Sequence, residues 1–225
     1  NQSCVIAEEL INHMIPPLKA SDDAAKAIVW MEEFRCNHLP VIDGGHLLGF
    51  ISEEIILESN DIDKRLLDFD LTGQRCSVST DAHFYDILRI AGENKLQIVA
   101  VLNEVGQYAG VITVQDIMTS FAQTASVQMP GGILVLSMDL IDYSLAEISR
   151  YVEENNAKVI SSIMVEDPLD KGKIKVTLKI NQDDLNRIVA TLERFGYRVI
   201  GRYQETREDT GEKDRYDMLM KYLDI

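Results

Sequence analysis

The sequence predicts an α+β chain in which one unit is repeated and a different unit follows. Three observations carry this reading. Ser21-Asp-Asp-Ala-Ala-Lys-Ala-Ile, Leu39-Pro-Val-Ile-Asp and Gly49-Phe-Ile-Ser-Glu-Glu-Ile return as Thr80-Asp-Ala-His-Phe-Tyr-Asp-Ile, Val99-Ala-Val-Leu-Asn and Gly110-Val-Ile-Thr-Val-Gln-Asp, at offsets of 59, 60 and 61 residues. The repeat then stops in a polar stretch that closes with Met129-Pro-Gly-Gly, a boundary signal. Beyond it, strand and helix periods alternate in a new order. A unit of about sixty residues is at the lower edge of what buries a core alone, so the two copies are expected to pack as one module, with ligand-sized clefts between them.

Each copy reads as strand, helix, strand, strand, helix. In the first, Ser21 is placed to cap a helix whose apolar stripe is Ala24, Ala27, Ile28 and Met31. Residues 39–42 and 47–51 form a hairpin around Asp43-Gly44-Gly45. Ser52 caps a second helix, with Glu53 and Glu54 in the first turn where the helix dipole favours acids. The second copy follows the same plan: a stripe of Phe84, Ile87, Leu88 and Ala91, a hairpin of 98–102 and 108–112, and a cap at Thr113.

The last part opens with a strand at 133–138. Ser144-Leu-Ala-Glu147 is a capping box for a helix with Leu145, Ile148 and Val152 on one face. Strands at 159–165 and 173–180 are joined through Asp167-Pro168 and Gly172, and a helix with Leu185, Ile188, Leu192 and Phe195 ends at Gly196. A strand at 197–203 completes the order β-α-β-β-α-β, the ferredoxin-like split unit. After a charged connector, Tyr216, Leu219, Met220 and Leu223 fall at i, i+3, i+4 and i+7. Such a short stripe needs a surface, in this chain or on a partner.

Composition narrows the function. The 225 residues carry 37 Asp and Glu against 22 Lys and Arg, a net charge of -15, which repels phosphate backbones and anionic lipid. Neither nucleic acid nor a membrane is expected as a partner. The densest basic group, Lys171, Lys173, Lys175 and Lys179, alternates with apolar residues and reads as the outer face of a strand. No apolar run approaches the roughly 20 residues that span a bilayer, and no basic segment precedes an apolar signal core, so the reading is cytoplasmic. Cys4, Cys36 and Cys76 are scattered and read as reduced packing residues. The lone pair Cys36 and His38 lacks the further ligands that a tetrahedral metal needs. There is no nucleophile beside a base and an orienting acid, and no Gly-rich phosphate loop with Lys. No enzyme activity, metal or cofactor is expected.

The paired units, each ending in Gly, two apolar residues, Ser or Thr, and two further residues, with Asp116 completing the second copy, resemble a tandem pair of CBS domains. The copies run over 7–60 and 66–124 and would pack as a Bateman module. Residues 131–203 resemble an ACT domain, and 204–225 remain as connector and short helix. Two CBS repeats followed by an ACT domain resemble the bacterial acetoin-utilization AcuB-type proteins. The resemblance implies an allosteric regulatory protein that senses an adenine nucleotide or S-adenosyl compound, forms a homodimer and acts on an unidentified target protein. The alternative is an interaction scaffold whose nucleotide site is vestigial.

The end motif has a physical reading. A hydroxyl at a helix start, with free backbone N–H groups, can hold a phosphate. The acid three residues on can accept bonds from ribose hydroxyls. Thr113 and Asp116 supply both groups, and a simple helix cap with a first-turn acid explains them equally. The first copy keeps Ser52 but has Ile55 at the acid position beside Glu53 and Glu54, so this site is expected to be degenerate. The resemblance adds Val78, Ile98 and Ala100 as neighbours of the base. His38 reads either as a strand-end histidine or as a group approaching a phosphate. In the ACT-like part, the resemblance points to an amino-acid loop at Asp139, Asp142, Tyr143 and Ser144. Tyr143-Ser144 stands where the family usually has a small pair, which favours a dimer-forming role over ligand binding.

Overall fold

The structure, a computed structural model, describes residues 6–204. Cys4 and the stripe of Tyr216, Leu219, Met220 and Leu223 lie outside the described residues. The chain divides into two compact units between Thr124 and Ala125.

In the first unit, α1 (Ala7–Leu10), β1 (Leu18–Lys19), α2 (Ala24–Phe34), β2 (His38–Asp43), β3 (His46–Ser52) and α3 (Glu53–Ser59) precede a 3-10 turn at Leu66–Asp68. The second copy follows as β4 (Ser77–Ser79), α4 (Phe84–Asn94), β5 (Ile98–Leu102), β6 (Tyr108–Thr113) and α5 (Val114–Ala122). Each copy builds a three-stranded sheet, β1-β2-β3 or β4-β5-β6, with its first pair parallel and its second antiparallel. The registers match as well: Leu18 lies opposite Val41, and Val78 opposite Val101.

The copies exchange their lead-in segments. Ala7 N donates to Ala82 O at 2.8 Å and Glu8 N to Thr80 O at 2.9 Å, and Ala7 and Leu10 are buried with Val78, Ile87 and Ile117 of the second copy. The lead-in of the second copy packs back on the first. Leu66 N donates to Asp22 O at 2.8 Å and Leu67 N to Ala20 O at 3.0 Å, burying Leu66 and Phe69 beside Leu18 and Ala24. Residue 7 is therefore a boundary along the chain and not in the packing. One continuous core, with Leu18, Val41, Phe50 and Ile51 against Leu96, Ile98, Ala100 and Val111, spans both copies.

The cap of α2 is Asp23, not Ser21. Asp23 has the extended backbone a cap requires (φ -91°, ψ 166°), and its side chain accepts from Lys26 N at 2.8 Å. Ser21 sits two residues outside, in a turn that Asp22 closes by accepting from Lys19 N at 2.8 Å. At the other end, α2 and α4 terminate on Arg35 and Lys95, both in the left-handed region at φ 52° and 54°.

The second unit begins with α6 (Ala125–Gln128), inside the stretch the sequence marks as a polar boundary. It continues with β7 (Gly132–Asp139), α7 (Leu145–Glu153), β8 (Val159–Glu166), β9 (Lys173–Ile180), α8 (Asn186–Arg194) and β10 (Arg198–Tyr203). The strands form an antiparallel sheet in the order β10-β7-β9-β8. Leu134, Leu136, Ile174, Val176, Leu178 and Ile180 alternate onto one face and are buried with Ile148 and Val152 of α7 and Ile188 and Leu192 of α8. By the same alternation Lys173, Lys175 and Lys179 take the other face, while Lys171 lies in the turn before β9. Ser144 caps α7 by accepting from Glu147 N at 3.3 Å. The expected box closes on this side only, because the Glu147 carboxylate accepts instead from Tyr197 Oη at 3.3 Å.

Gly49 marks the crossing of the two copies. Its φ is +148°, and a Cβ there would lie 2.8 Å from Thr72 O and 3.0 Å from Leu71 Cβ. Gly49→Ala is expected to lower the unfolding free energy by about 1–3 kcal/mol. Gly92→Ala, on an exposed turn of α4 with nothing within 4 Å of the new methyl, is expected to raise it by up to about 1 kcal/mol. Urea unfolding followed by far-UV circular dichroism measures both.

Candidate functional site

The chemistry expected at the second copy starts from the cap of α5. Thr113 has extended backbone (φ -90°, ψ 153°), and its Oγ1 accepts from Asp116 N at 2.9 Å. Asp116 Oδ2 accepts from Thr113 N at 3.1 Å and from Thr113 Oγ1 at 2.6 Å. This is a closed capping box. A residue from the lead-in of the first copy then joins it: Asn12 Nδ2 donates to Asp116 Oδ1 at 3.2 Å and Oδ2 at 3.1 Å. Asn12 is itself anchored, since its N donates to Val111 O at 2.8 Å and its Oδ1 accepts from Met14 N at 2.9 Å.

A cavity of about 780 Å³ opens over this box. Thr113 and Asp116, named from the end motif, and Ile98, named from the resemblance, line it together with Asn12, Phe34 and Arg35. Val78 and Ala100 are not among its lining residues. Both sit on strands whose side chains are taken into cores, Val78 with Ala7 and Ile87, and Ala100 with Phe50 and Val111. Arg35 reaches the cavity because the left-handed turn at the end of α2 carries it there. Its side chain is exposed, and it adds a positive charge to a lining that also holds Asp116 and Glu33.

The matching cavity of the first copy is smaller, about 370 Å³, and is lined by His38, Ser52, Glu54, Ile55, Thr72 and Asn94 among others. Ser52 is 6% exposed and accepts from Ile55 N at 3.2 Å. The pair Asn12 and Asp116 is replaced here by Thr72 and Ile55. Thr72 occupies the position equivalent to Asn12, but its hydroxyl turns to Phe50 O at 3.5 Å. His38 Nδ1 is buried without a hydrogen-bond partner among the described residues, and burial holds its pKa below the ordinary value against the opposing pull of Glu54.

In the second unit a cleft of about 770 Å³ gathers all four loop residues named from the sequence, Asp139, Asp142, Tyr143 and Ser144. It adds Tyr151, Tyr197 and Arg198 from elements distant in sequence. Tyr151 stacks on Phe195 with ring centroids 4.2 Å apart, and the bond from Tyr197 to Glu147 closes the wall.

Asn12 and Arg35 are the site residues that the sequence reading passes over. Both had a signal in the repeat. Asn12 precedes its copy by the same interval as Thr72, and Arg35 is matched by Lys95 directly after the equivalent helix.

Comparison with known proteins agrees with part of this. Residues 7–60 match the family model of the CBS domain, and the second copy has the same element order and sheet pairing. A CBS domain pair/ACT domain protein from Thermotoga maritima is similar at TM-score 0.49 and 17% identity, over 52% of this chain and 97% of that one. CBSX2, solved in complex with AMP, has TM-score 0.46 and 20% identity over 53% and 97%. A protein described as an acetoin utilization protein (AcuB) from Vibrio cholerae has TM-score 0.45 and 20% identity over 51% and 88%. Among the described residues, no helix is long and apolar enough to cross a membrane.

The depressed pKa of His38 makes stability depend on pH. Its contribution is full above the ordinary histidine value of about 6.5 and is lost as pH falls, because the unfolded state binds the proton first. Wild-type protein is expected to lose more of its urea midpoint between pH 7 and pH 5 than His38→Gln. Equal losses would show that another group governs this range.

Proposed function

We propose that the chain is a regulatory ligand-sensing protein, not an enzyme, that takes one adenine nucleotide or other adenosyl compound in the cavity at the head of α5. In this reading the first unit is a CBS pair. The second is ACT-like and serves homodimerisation, or a second effector at the cleft around Asp142 and Tyr143. The observation that carries the proposal is the asymmetry of two cavities built on one plan. The larger has an acid at its helix start, an amide beside it and a cation at its mouth. The smaller has Ile55 at the acid position and Glu54 beside it.

The roles follow from the chemistry. Asp116 Oδ1 is engaged only by Asn12 among the described residues, so it retains acceptor capacity for a ribose hydroxyl. Phe34, only partly buried, offers apolar surface to a base, and Ile98 stands in the core behind the cavity wall. Arg35 supplies the charge that an anionic ligand needs against a chain of net charge -15. One observation favours the second reading, a scaffold with a vestigial site: Asp116 Oδ2 already serves the capping box and Asn12, which is sufficient structural use for this carboxylate.

Calorimetry with AMP, ADP, ATP, S-adenosylmethionine and adenosine separates the two. One site per chain is expected. Asp116→Ala should weaken binding about 10- to 100-fold, the equivalent of roughly 1.5–3 kcal/mol for a charge-assisted bond, while Ser52→Ala leaves it nearly unchanged. Arg35→Ala should bring AMP affinity down toward that of adenosine. Two equal sites would overturn the asymmetry, and no binding of any adenosyl compound would leave the scaffold reading standing.

A further inference from the structure

We infer that the cavity at the head of α5 is built for an adenosyl amino acid, with Glu33 taking the ammonium and Arg35 the carboxylate of its tail, and that it discriminates against phosphorylated adenosines. This rests on the adenosyl reading of the cavity and names the tail that the ligand carries.

The helix start that would hold a phosphate is largely spent. Such a site works through N–H groups that have no partner within the helix. Here Val114 N donates to Gln97 O at 2.9 Å, and Asp116 N donates to Thr113 Oγ1 at 2.9 Å. Of Val114, Gln115 and Asp116, only Gln115 keeps a free N–H among the described residues. The Thr113 hydroxyl gives its own proton to Asp116 Oδ2 at 2.6 Å, so a phosphate finds no hydroxyl donor there. Charge points the same way. The charged residues lining the cavity are Glu33, Asp116 and Arg35, two acids and one base. A triphosphate would meet a single cation there, in a chain of net charge -15. A sulfonium, an ammonium and a carboxylate invert this set, and Asp116 stays available to the ribose.

The repeat supplies an internal comparison. Helix α2 begins at Ala24 and α4 at Phe84, so Glu93 and Lys95 stand where the first copy has Glu33 and Arg35. Neither lines the smaller cavity. Glu93 is taken by Arg89, one helical turn earlier, at 3.4 Å. At the place of Arg89 the first copy has Val29, 58% exposed, which withholds that partner from Glu33. Neither Glu33 nor Arg35 has an ion pair among the described residues. An acid and a base that line one cavity without bonding each other are free to take the two ends of a zwitterion.

The test is calorimetry on the full chain with S-adenosylmethionine, S-adenosylhomocysteine, AMP, ATP and adenosine. S-adenosylmethionine is expected to bind at least about fivefold more tightly than AMP, and ATP more weakly than AMP. S-adenosylhomocysteine keeps the zwitterion without the sulfonium and should fall between S-adenosylmethionine and adenosine. Glu33 is exposed, so its ion pair is modest: Glu33→Gln should lower S-adenosylmethionine affinity about two- to fivefold, leave adenosine unchanged and improve AMP. Val29→Arg, outside the cavity lining, should lower S-adenosylmethionine affinity in the same way, by engaging Glu33 as Arg89 engages Glu93. AMP or ATP binding more tightly than S-adenosylmethionine overturns the tail assignment and leaves the adenosyl reading intact. A preference for S-adenosylmethionine that neither variant moves overturns the role of Glu33. No binding of any of these compounds overturns both the inference and the reading beneath it.

Discussion

Asn12 N donates to Val111 O at 2.8 Å, and Phe50 N donates to Thr72 O at 2.7 Å; each bond ties the lead-in of one repeat to the last strand of the other. Neither repeat of about sixty residues has a complete core without this exchange. The lead-in supplies Ala7 and Leu10 to the second copy and Leu66 and Phe69 to the first. The same crossing decides where the cavities lie. Each is bounded by the helix start of one copy and by the lead-in and first-helix end of the other, so no single repeat contains a whole site.

On this near-symmetric frame a few side chains make the cavities unlike. Replacing an acid by Ile55 removes the group that Asn12 meets in the second copy, and the equivalent Thr72 turns to the backbone. What remains in the first cavity is His38, with a buried nitrogen unpaired among the described residues, and Glu54. The second cavity joins Asp116 to a residue 104 positions away and receives Arg35 from a left-handed turn. The atoms that close the cap of α5 are the ones the proposed ligand chemistry would use. A carboxylate already ordered by its own helix start is held in place before any ligand arrives.

The second unit follows a simpler logic. Strict alternation along β7 and β9 turns six large apolar residues toward two helices, and the lysines of β9 take the opposite face by the same period. Its edges are where the chain departs from uniformity. Both carry a register shift, β10 between Val199 and Gly201 and β8 between Val159 and Ser161, and β10 adds Arg198 and Arg202.

The sequence by itself determined the repeat, the hairpins, the caps at Ser52, Thr113 and Ser144, and the β-α-β-β-α-β order, because these depend on period and on contacts within a few residues. It also brought forward Thr113, Asp116 and the loop from Asp139 to Ser144, whose residue types carry chemistry at fixed local spacing. It misplaced the cap of α2, where Ser21 and Asp23 are both good capping residues and only the backbone angles choose between them. The resemblance pointed to Val78 and Ala100 beside the base, and the structure packs Val78 with Ala7 and Ile87 and Ala100 with Phe50 and Val111. Only the tertiary structure decided that Asn12 and Arg35 line the cavity with Asp116 and that Glu147 turns to Tyr197. Each of these depends on a contact between segments far apart in the chain, and local periodicity holds no record of such contacts.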